Sequence, residues 1–319
     1  MPRLPDEPLI SSTIPEVSVV IPTCRRPTLL LRALASVFAQ TYQHYEVIVV
    51  VDGPDQETLA ALSVIRDARL RVFVNPRSLS AAGARNRGVK HARGHWIAFL
   101  DDDDEWLPQK LERQMACALS SGPALVTALS RVVTPVATYV WPGTVFDNVL
   151  PIDEYLFDRQ ALFAGESFIQ TSSYVLPRAA YQGCPFRSDT PHDDWDFLLR
   201  LCKQRGMRVE TVPEVLVQVH CEGPRLSLSQ HDSWVASLYW LDSIRSLITP
   251  RAYSGFCLGV VGPRAANEHA YSAFFLLLLK ALRNGAPRPR QVLVFLSFWA
   301  MPQGLRRRLR ALVGVRREG

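Results

Sequence analysis

The stretch Trp-Ile-Ala-Phe-Leu-Asp-Asp-Asp-Asp-Glu-Trp, residues 96–106, carries the strongest structural signal in this chain of 319 residues. Its apolar first part predicts a buried β-strand over Trp96–Leu100. The aspartates Asp101–Asp104 follow at once, and their negative charges repel one another. Mg²⁺ or Mn²⁺ would relieve this repulsion, since such ions bind through one or two carboxylates together with phosphate oxygens. The alternative is a solvated acidic loop, in which Asp104 and Glu105 only favour the start of the next helix.

Three further apolar runs precede this strand, and each is short and continuous. Strands are predicted at Val17–Ile21, Glu46–Val51 and Leu70–Val74, and helices from Pro27, over Gln56–Val64 and over Ala81–Ala92. Continuous rather than alternating apolar runs indicate strands buried on both faces, which is typical of a parallel sheet covered by helices. The sequence therefore predicts an α/β fold, doubly wound, with a mostly parallel central sheet and helices on both faces.

The rhythm of strand and helix changes after a helix expected to begin at Pro108. The later predictions are strands at Leu125–Val133, Thr138–Trp141, Phe168–Leu176 and Arg208–Val212, and an amphipathic helix over His192–Arg205. Beyond about Ser229 the pattern is helical and increasingly basic. We therefore expect an N-terminal extension (residues 1–16), two halves of one domain (17–120 and 121–228) and a helical, basic C-terminal region (229–319).

Charge is distributed unevenly along the chain. Ten of the 36 Lys and Arg residues, but only one of the 30 Asp and Glu residues, lie from Lys280 onward. The preceding part has a small excess of acids, which argues against nucleic acid as a partner. The residues before Val17 contain four prolines and no apolar core of a signal peptide. No apolar run reaches the ~20 residues of a membrane-spanning helix. The sequence predicts a cytoplasmic protein.

The basic C-terminal end has two interpretations. A helix after Met301 would place Leu305, Leu309 and Leu312 on one face, with arginines on the rest of its surface. Such a helix could lie on an anionic membrane surface, which would attach the protein to the inner face of the membrane. It could equally pack on the domain and hold its arginines in water. Both interpretations stay open.

In an open α/β sheet, ligands bind at the carboxyl ends of the strands. Pro22 and Thr23 follow the first strand, Asp52 follows the second and the aspartate run follows the fourth. A carboxylate such as Asp52 can accept hydrogen bonds from a nucleobase or ribose, although Asp-Gly is also a common turn pair. In an extended segment Asp101 and Asp103 would point the same way, so these two are the predicted ligands of the aspartate run.

Two further segments carry candidate chemistry. Arg85, within Ala84–Gly88, is a candidate ligand of diphosphate oxygens, and the alternative is a solvated helix face. Asp193 and Asp194 open a predicted helix, where the helix dipole alone would explain acidic residues. Either carboxylate could instead act as a general base.

The segment Val17–Gln114 resembles the donor-binding half of the family 2 glycosyltransferases, which have the GT-A fold. The matching stretches are Val-Ser-Val-Val-Ile-Pro-Thr (Val17–Thr23), Val-Ile-Val-Val-Val-Asp-Gly (Val47–Gly53), Ala-Arg-Asn-Arg-Gly (Ala84–Gly88) and Trp96–Trp106. His192–Leu201 is similar to the family's acidic pair, Trp and Asp at a helix start. The resemblance implies a donor-binding half at 17–120 and an acceptor-binding half at 121–228.

The resemblance also implies an activity, the inverting transfer of a sugar from a nucleotide sugar, usually UDP-linked, to a saccharide or lipid-linked acceptor. Asp52 would bind the base, while Asp101 and Asp103 would form a DxD motif that contacts ribose and a divalent metal, Mn²⁺ or Mg²⁺. Asp194, or failing that Asp193, would be the catalytic base. The expected donor-binding residues are Pro22, Thr23, Asp52, Arg85, Asp101 and Asp102.

The chain departs from the family's pattern at several positions. Gly53 stands where a second Asp is common, and the acidic pair begins with Asp193 where Glu is usual. His220 follows a strand from which a His could reach the diphosphate, although such a His is more often structural. Two other functions remain as alternatives: a non-catalytic nucleotide-sugar-binding member, or a sugar-phosphate nucleotidyltransferase. The second would need a Gly-rich loop after the first strand, and Thr23–Pro27 contains no glycine.

Overall fold

The computed structural model describes residues 14–135, 137–158, 167–221 and 233–300. Its strands are Val17–Thr23 (β1), Tyr45–Val51 (β2), Leu70–Val74 (β3), Trp96–Phe99 (β4), Asp104–Trp106 (β5), Ala124–Val133 (β6), Thr138–Trp141 (β7), Val175–Pro177 (β8) and Arg208–His220 (β9). Its helices are Pro27–Phe38 (α1), Gln56–Ser63 (α2), Ser80–His91 (α3), Lys110–Ser121 (α4), Ile152–Phe157 (α5), Arg178–Gln182 (α6), Asp193–Leu199 (α7), Trp234–Ser243 (α8), Pro250–Phe256 (α9), Gly262–Asn267 (α10), Ala273–Asn284 (α11) and Pro289–Ala300 (α12).

All of these strands belong to one sheet, in the order β3-β2-β1-β4-β8-β6-β9-β5, with β7 paired to β6. The first four strands of the chain are parallel to one another, as continuous apolar runs predict. The later half is mixed: β8 is antiparallel to both β4 and β6, while β6 and β9 are parallel. The α/β class and the mostly parallel order of the first half are confirmed.

Successive residues of the central strands enter two separate hydrophobic cores, one on each face of the sheet. In β1, Val20 belongs to the core that also contains α7 and the C-terminal helices, whereas Val19 and Ile21 belong to the core beneath α1 and α4. This alternation follows from the pleat of a strand, whose side chains point to opposite faces. Helices therefore cover both faces of the sheet, as predicted.

The C-terminal helices α8–α12 pack into the first of these cores. Phe256, Leu277 and Phe295 from three of these helices are completely buried there. Among the described helices, none is long and apolar enough to cross a membrane. The predicted basic helix after Met301, with Leu305, Leu309 and Leu312, lies outside the described residues.

One element prediction is wrong, and another starts two residues late. The strand expected over Phe168–Leu176 is a 3₁₀ turn at Thr171–Ser173 followed by the short strand β8. The polar side chains of this segment bond locally, because the Ser173 hydroxyl donates to the Gln170 carbonyl oxygen at 2.6 Å, and such bonds compete with a strand ladder. The helix expected from Pro108 begins two residues later, at Lys110.

Candidate active site

The aspartate run forms a turn rather than an extended segment. The Asp104 backbone N–H donates to the Asp101 carbonyl oxygen at 3.1 Å, and Asp104 then begins β5. The extended backbone assumed for Asp101 and Asp103 is therefore wrong: the short strand β4 ends at Phe99, and the chain must turn to bring β5 against β9. As a result the four carboxylates meet different surroundings.

Asp102 and Asp104 point into the protein. The Thr23 hydroxyl donates to Asp102 Oδ2 at 2.7 Å, and Arg26 Nη1 lies 3.4 Å from Asp102 Oδ1. Asp104 Oδ2 accepts from Ser172 Oγ at 2.7 Å and from Gln170 Nε2 at 3.0 Å. Burial raises the pKa of Asp102 to about 6 and that of Asp104 to about 7, and for Asp104 the neighbouring carboxylates add to the effect.

Asp101 and Asp103 are the more open pair, with side chains 25% and 21% exposed, against 8% for Asp102. Arg26 Nη1 lies 3.4 Å from Asp103 Oδ2, and Arg32 Nη2 donates to the Asp103 carbonyl oxygen at 2.8 Å. The two carboxylates that reach the surface of the turn are thus the two that the sequence singled out.

Hard oxygen ligands at this turn suit Mg²⁺ or Mn²⁺. Within the described residues no group of three or more His, Cys, Asp or Glu side chains is arranged to hold a metal ion. Asp101 and Asp103, the two more open carboxylates of the turn, would be the protein's ligands, and the remaining ligands would come from phosphate oxygens and water. That division of ligands is the one these ions prefer at phosphate sites, so the residues present fit a metal held jointly with a diphosphate.

Asp52, at the carboxyl end of β2, is buried and already accepts several hydrogen bonds. Its oxygens accept from Asn75 Nδ2 at 2.6 Å, from Ser78 Oγ at 2.7 Å and from the Leu79 N–H at 2.8 Å. Asp52 therefore shapes the segment that leads from β3 into α3. Gly53 has a φ of +107°, a conformation that favours glycine, which explains why no second Asp follows Asp52 here.

Arg85 links the two groups of predicted carboxylates. Its Nη2 donates to Asp101 Oδ1 at 2.6 Å, and its Nη1 lies 3.3 Å from Asp193 Oδ2. The guanidinium also lies over the Phe186 ring, 5.2 Å from its centroid. Burial alone would lower the pKa of Arg85, but Asp101 and Asp193 raise it above its ordinary value, so the side chain stays charged. The alternative of a solvated helix face is wrong for this residue.

The acidic pair Asp193 and Asp194 opens α7, as predicted. Asp193 faces Arg85, whereas Asp194 Oδ1 accepts from the Trp195 N–H at 2.8 Å. Burial, and then the negative charge of Asp193, raise the pKa of Asp194 to about 6. A partly exposed carboxylate with this pKa is deprotonated near neutral pH and still basic enough to accept a proton.

The C-terminal helices α8 and α9 pack against the start of α7. His192, the residue before α7, is buried, and its ring lies 4.8 Å from that of Trp240 and 5.2 Å from that of Phe256. Its Nε2 lies 3.1 Å from Ser237 Oγ. Trp240 Nε1 donates to Asp196 Oδ1 at 3.3 Å, within the first turn of α7. Helices α8 and α9 thus fix the direction of the acidic pair.

Sequence reasoning missed several polar residues around the aspartate run. Arg26, in the loop before α1, and Arg32, within α1, both contact it. Glu105 is paired with Arg32 at 3.3 Å and with His220 at 2.5 Å. The arginine at position 26 could have been found, since it follows the first strand on the same rim as Thr23. Pro22 lies in β1, paired in register with Val50.

Residues 18–182 match the family model described as Glycosyl transferase family 2. The chain is similar to the amylovoran biosynthesis glycosyltransferase AmsB of Erwinia amylovora, with 30% identity over 84% of this chain and 92% of that protein. It is 33% identical to the putative colanic acid biosynthesis glycosyl transferase WcaA of Escherichia coli (strain K12), over 65% of this chain and 74% of WcaA.

A further relative matches over a shorter part of the chain. UDP-Glc:alpha-D-GlcNAc-diphosphoundecaprenol beta-1,3-glucosyltransferase WfgD of Escherichia coli is 35% identical over 33% of this chain and 42% of that protein. Among solved structures, S. aureus TarS 1-349 in complex with UDP-GlcNAc superposes with a TM-score of 0.60 over 92% of both chains, at 15% identity. This likeness shows that the fold is of the GT-A type.

Proposed function

Because the chain belongs to glycosyl transferase family 2 and is a glycosyltransferase, we propose that it transfers a sugar with inversion from a UDP-linked donor to a lipid-linked saccharide. The relatives named above support this choice. WfgD is named for a UDP-linked donor and a diphosphoundecaprenol-linked acceptor, and the TarS structure contains UDP-GlcNAc.

One observation carries the proposal. Arg85 touches Asp101 on the donor side and Asp193 on the acceptor side, at 2.6 Å and 3.3 Å. Two carboxylate groups from distant parts of the chain therefore meet across a single guanidinium. A general base must lie near the carbon that the leaving diphosphate is attached to, and this arrangement supports such a placement.

In the proposed reaction the acceptor hydroxyl attacks the anomeric carbon from the side opposite the diphosphate. A new C–O bond forms, the C–O bond to the diphosphate breaks and the diphosphate oxygen keeps that electron pair. Asp194 takes the proton of the attacking hydroxyl. Burial raises the pKa of Asp193 too, but Arg85, 3.3 Å away, opposes this shift and stabilises the charged carboxylate, so Asp193 is less suited to this role.

On the donor side, Asp101 and Asp103 would hold a divalent cation, Mn²⁺ or Mg²⁺, together with the diphosphate. When bound, that ion would supply positive charge against the leaving group. Arg85 would keep Asp101 oriented, and the Thr23 hydroxyl would hold Asp102 inside the turn that carries Asp101 and Asp103. Asp52 would contact the base from the rim of β2, while its other contacts order the segment before α3.

The proposal is tested by following transfer from UDP-sugars to an undecaprenyl-diphosphate-linked saccharide and assigning the anomeric configuration of the product by NMR. We expect inversion. A product that retains the donor's configuration would rule out the proposed direct attack by the acceptor hydroxyl.

The metal assignment needs its own test. We expect Asp103→Ala to lose transfer and also to lose the increase in melting temperature that Mn²⁺ with UDP produces in the wild type. Glu57→Ala is a matched control, because Glu57 is an exposed carboxylate at the start of α2. Full turnover by Asp103→Ala would show that the assignment is wrong.

A further inference from the structure

Helix α11 presents large apolar side chains to solvent. Phe275, Leu279 and Leu282 are 71%, 47% and 56% exposed. Their spacing of four and three residues places them on one face of the helix. On the opposite face Ala273, Leu277 and Ala281 are buried in the core. A helix on a protein surface ordinarily exposes polar residues, so this face is unusual.

Helix α12 repeats the pattern. Leu293 and Leu296, three residues apart, are 66% and 39% exposed, while Phe295 is buried. The two helices touch each other, because the rings of Phe274 and Phe295 are stacked with centroids 5.3 Å apart. The outward faces of α11 and α12, defined by Phe275, Leu279, Leu282, Leu293 and Leu296, are called the apolar face below. Five exposed large apolar side chains on two helices that touch are more typical of an interaction site than of ordinary surface.

The charge of this region indicates the kind of partner. No Asp or Glu occurs between His269 and Arg317 in the sequence. Arg283 follows Leu282 and Arg290 precedes Leu293, and neither arginine has an ion pair among the described residues. The 19 residues after Ala300 contain six further arginines. Asp242 and Asp158 lie beside these helices but are already paired with Lys280 and Arg288. Apolar side chains flanked by further cations suit a lipid bilayer, which is apolar inside and can be negatively charged at its surface.

We propose that the apolar face docks on an anionic lipid bilayer, with its Leu and Phe side chains inserted at the headgroup boundary and the arginines contacting lipid phosphates. This inference rests on the proposed function for its purpose, since a lipid-linked acceptor is presented at such a surface. The proposed contact surface consists of α11 and α12.

A second copy of the chain is the main competing occupant. In a two-fold dimer the same patch faces itself. Arg283 and Arg290 of both copies would then be gathered at one interface, with no acid between His269 and Arg317 to neutralise them. Like charges brought together in this way oppose association, whereas anionic lipid favours it.

The experiment is flotation of the full chain with vesicles of phosphatidylcholine alone or of phosphatidylcholine with phosphatidylglycerol. The test variant is Phe275→Ser with Leu279→Ser and Leu293→Ser. The matched control is Val64→Ser with Leu119→Ser and Val149→Ser, which removes three side chains that are exposed to a similar extent elsewhere, at 73%, 66% and 80%. A chain that ends at Ala300 separates the contribution of the basic segment.

We expect the wild type and the control to bind anionic vesicles and to bind neutral ones much less. The test variant should partition roughly tenfold or more weakly, because apolar side chains drive insertion. Unchanged binding of the test variant would overturn the proposal. The proposal would also be overturned if the chain that ends at Ala300 lost binding while the test variant kept it. A third contrary result is a wild type that forms a dimer but binds no vesicles, and a test variant that is a monomer.

Transfer to a water-soluble acceptor analogue distinguishes this inference from the proposed function. The test variant should keep that activity, since its three side chains are exposed on α11 and α12 and belong neither to the aspartate run nor to the acidic pair. A wild type that binds vesicles but transfers no sugar would refute the proposed function only. A wild type that transfers sugar but ignores vesicles would refute the docking surface only.

Discussion

At the scale of single residues, the site depends on how burial separates neighbouring carboxylates. Four adjacent aspartates would be equivalent in solution, yet the turn buries Asp102 and Asp104 and leaves Asp101 and Asp103 more open. The same separation acts on the acidic pair, where Arg85 faces Asp193, so that Asp194 is the proposed proton acceptor. Burial and the nearest cation, more than residue type, distinguish these carboxylates.

Replacement of Asp194 by Asn removes the proposed base and keeps the shape of the side chain. We expect kcat to fall roughly 10²–10⁴-fold, the usual contribution of a positioned general base. The melting temperature should change little, because the acceptor oxygen toward the Trp195 N–H is retained. Asp189→Asn, an exposed carboxylate in the segment before α7, should keep wild-type turnover. If the kcat of Asp194→Asn were unchanged, another group would have to be the general base.

The pH profile of kcat reports the same carboxylate. Burial raises the pKa of Asp194 to about 6, so the basic form is present above that pH and is lost below it. We expect kcat to rise with pH through about 6 and then to level off. The slow Asp194→Asn variant should lack this limb. If the wild-type kcat rose instead near pH 4, the ordinary range of an aspartate, the surroundings of Asp194 would not raise its pKa.

At the scale of elements, hydrophobic runs predicted the first half of the sheet, and contacts between distant segments set the limits of the later predictions. β1 to β4 and α1 to α3 fall within a residue or two of the predicted bounds, because the apolar runs are short and continuous. β1, β2 and β4 are almost completely buried, whereas β3 is partly exposed. The segment Phe168–Leu176 failed, since the roles of Gln170 and Ser172 depend on Asp104, which lies some 66 residues earlier in the chain.

The candidate site followed the same division. Residues at the carboxyl ends of parallel strands could be placed from the sequence by the topology rule alone. The contact between Arg85 and Asp193 could not, because it depends on how α3 and α7 approach each other in three dimensions. Nor could the turn at Asp101–Asp104, whose geometry is set by the pairing of β5 with β9.

The packing of α3 on β1 offers a test at this scale. A Cβ at Gly88 would lie 2.3 Å from Val20 Cγ1, whereas one at Gly259 would meet nothing within 4 Å. We expect Gly88→Ala to lower the free energy of unfolding by about 1–3 kcal/mol, the usual cost of overpacking. Gly259→Ala should be neutral or slightly stabilising. Both values come from chemical denaturation, and equal stabilities of the two variants would contradict the close packing of α3 on β1.

At the scale of the whole molecule, the sheet and the C-terminal helices form one supporting structure. Thr23, Asp52 and the aspartate run lie at the carboxyl ends of the strands. The core shared with α8–α12 supports the start of α7. The acidic pair is thereby brought to the aspartate run, although some 90 residues separate Asp101 from Asp193 in sequence. The C-terminal region also provides the apolar face.

The most direct test of the central claim, that Asp101 and Asp103 serve a UDP-sugar site built with a divalent metal, is the melting temperature of the chain with a panel of UDP-sugars, with and without Mn²⁺. We predict that at least one UDP-sugar raises the melting temperature, that Mn²⁺ increases the rise and that Asp103→Ala abolishes the increase due to Mn²⁺. The central claim would be contradicted if no UDP-sugar raised the melting temperature, or if Asp103→Ala left the effect of Mn²⁺ intact.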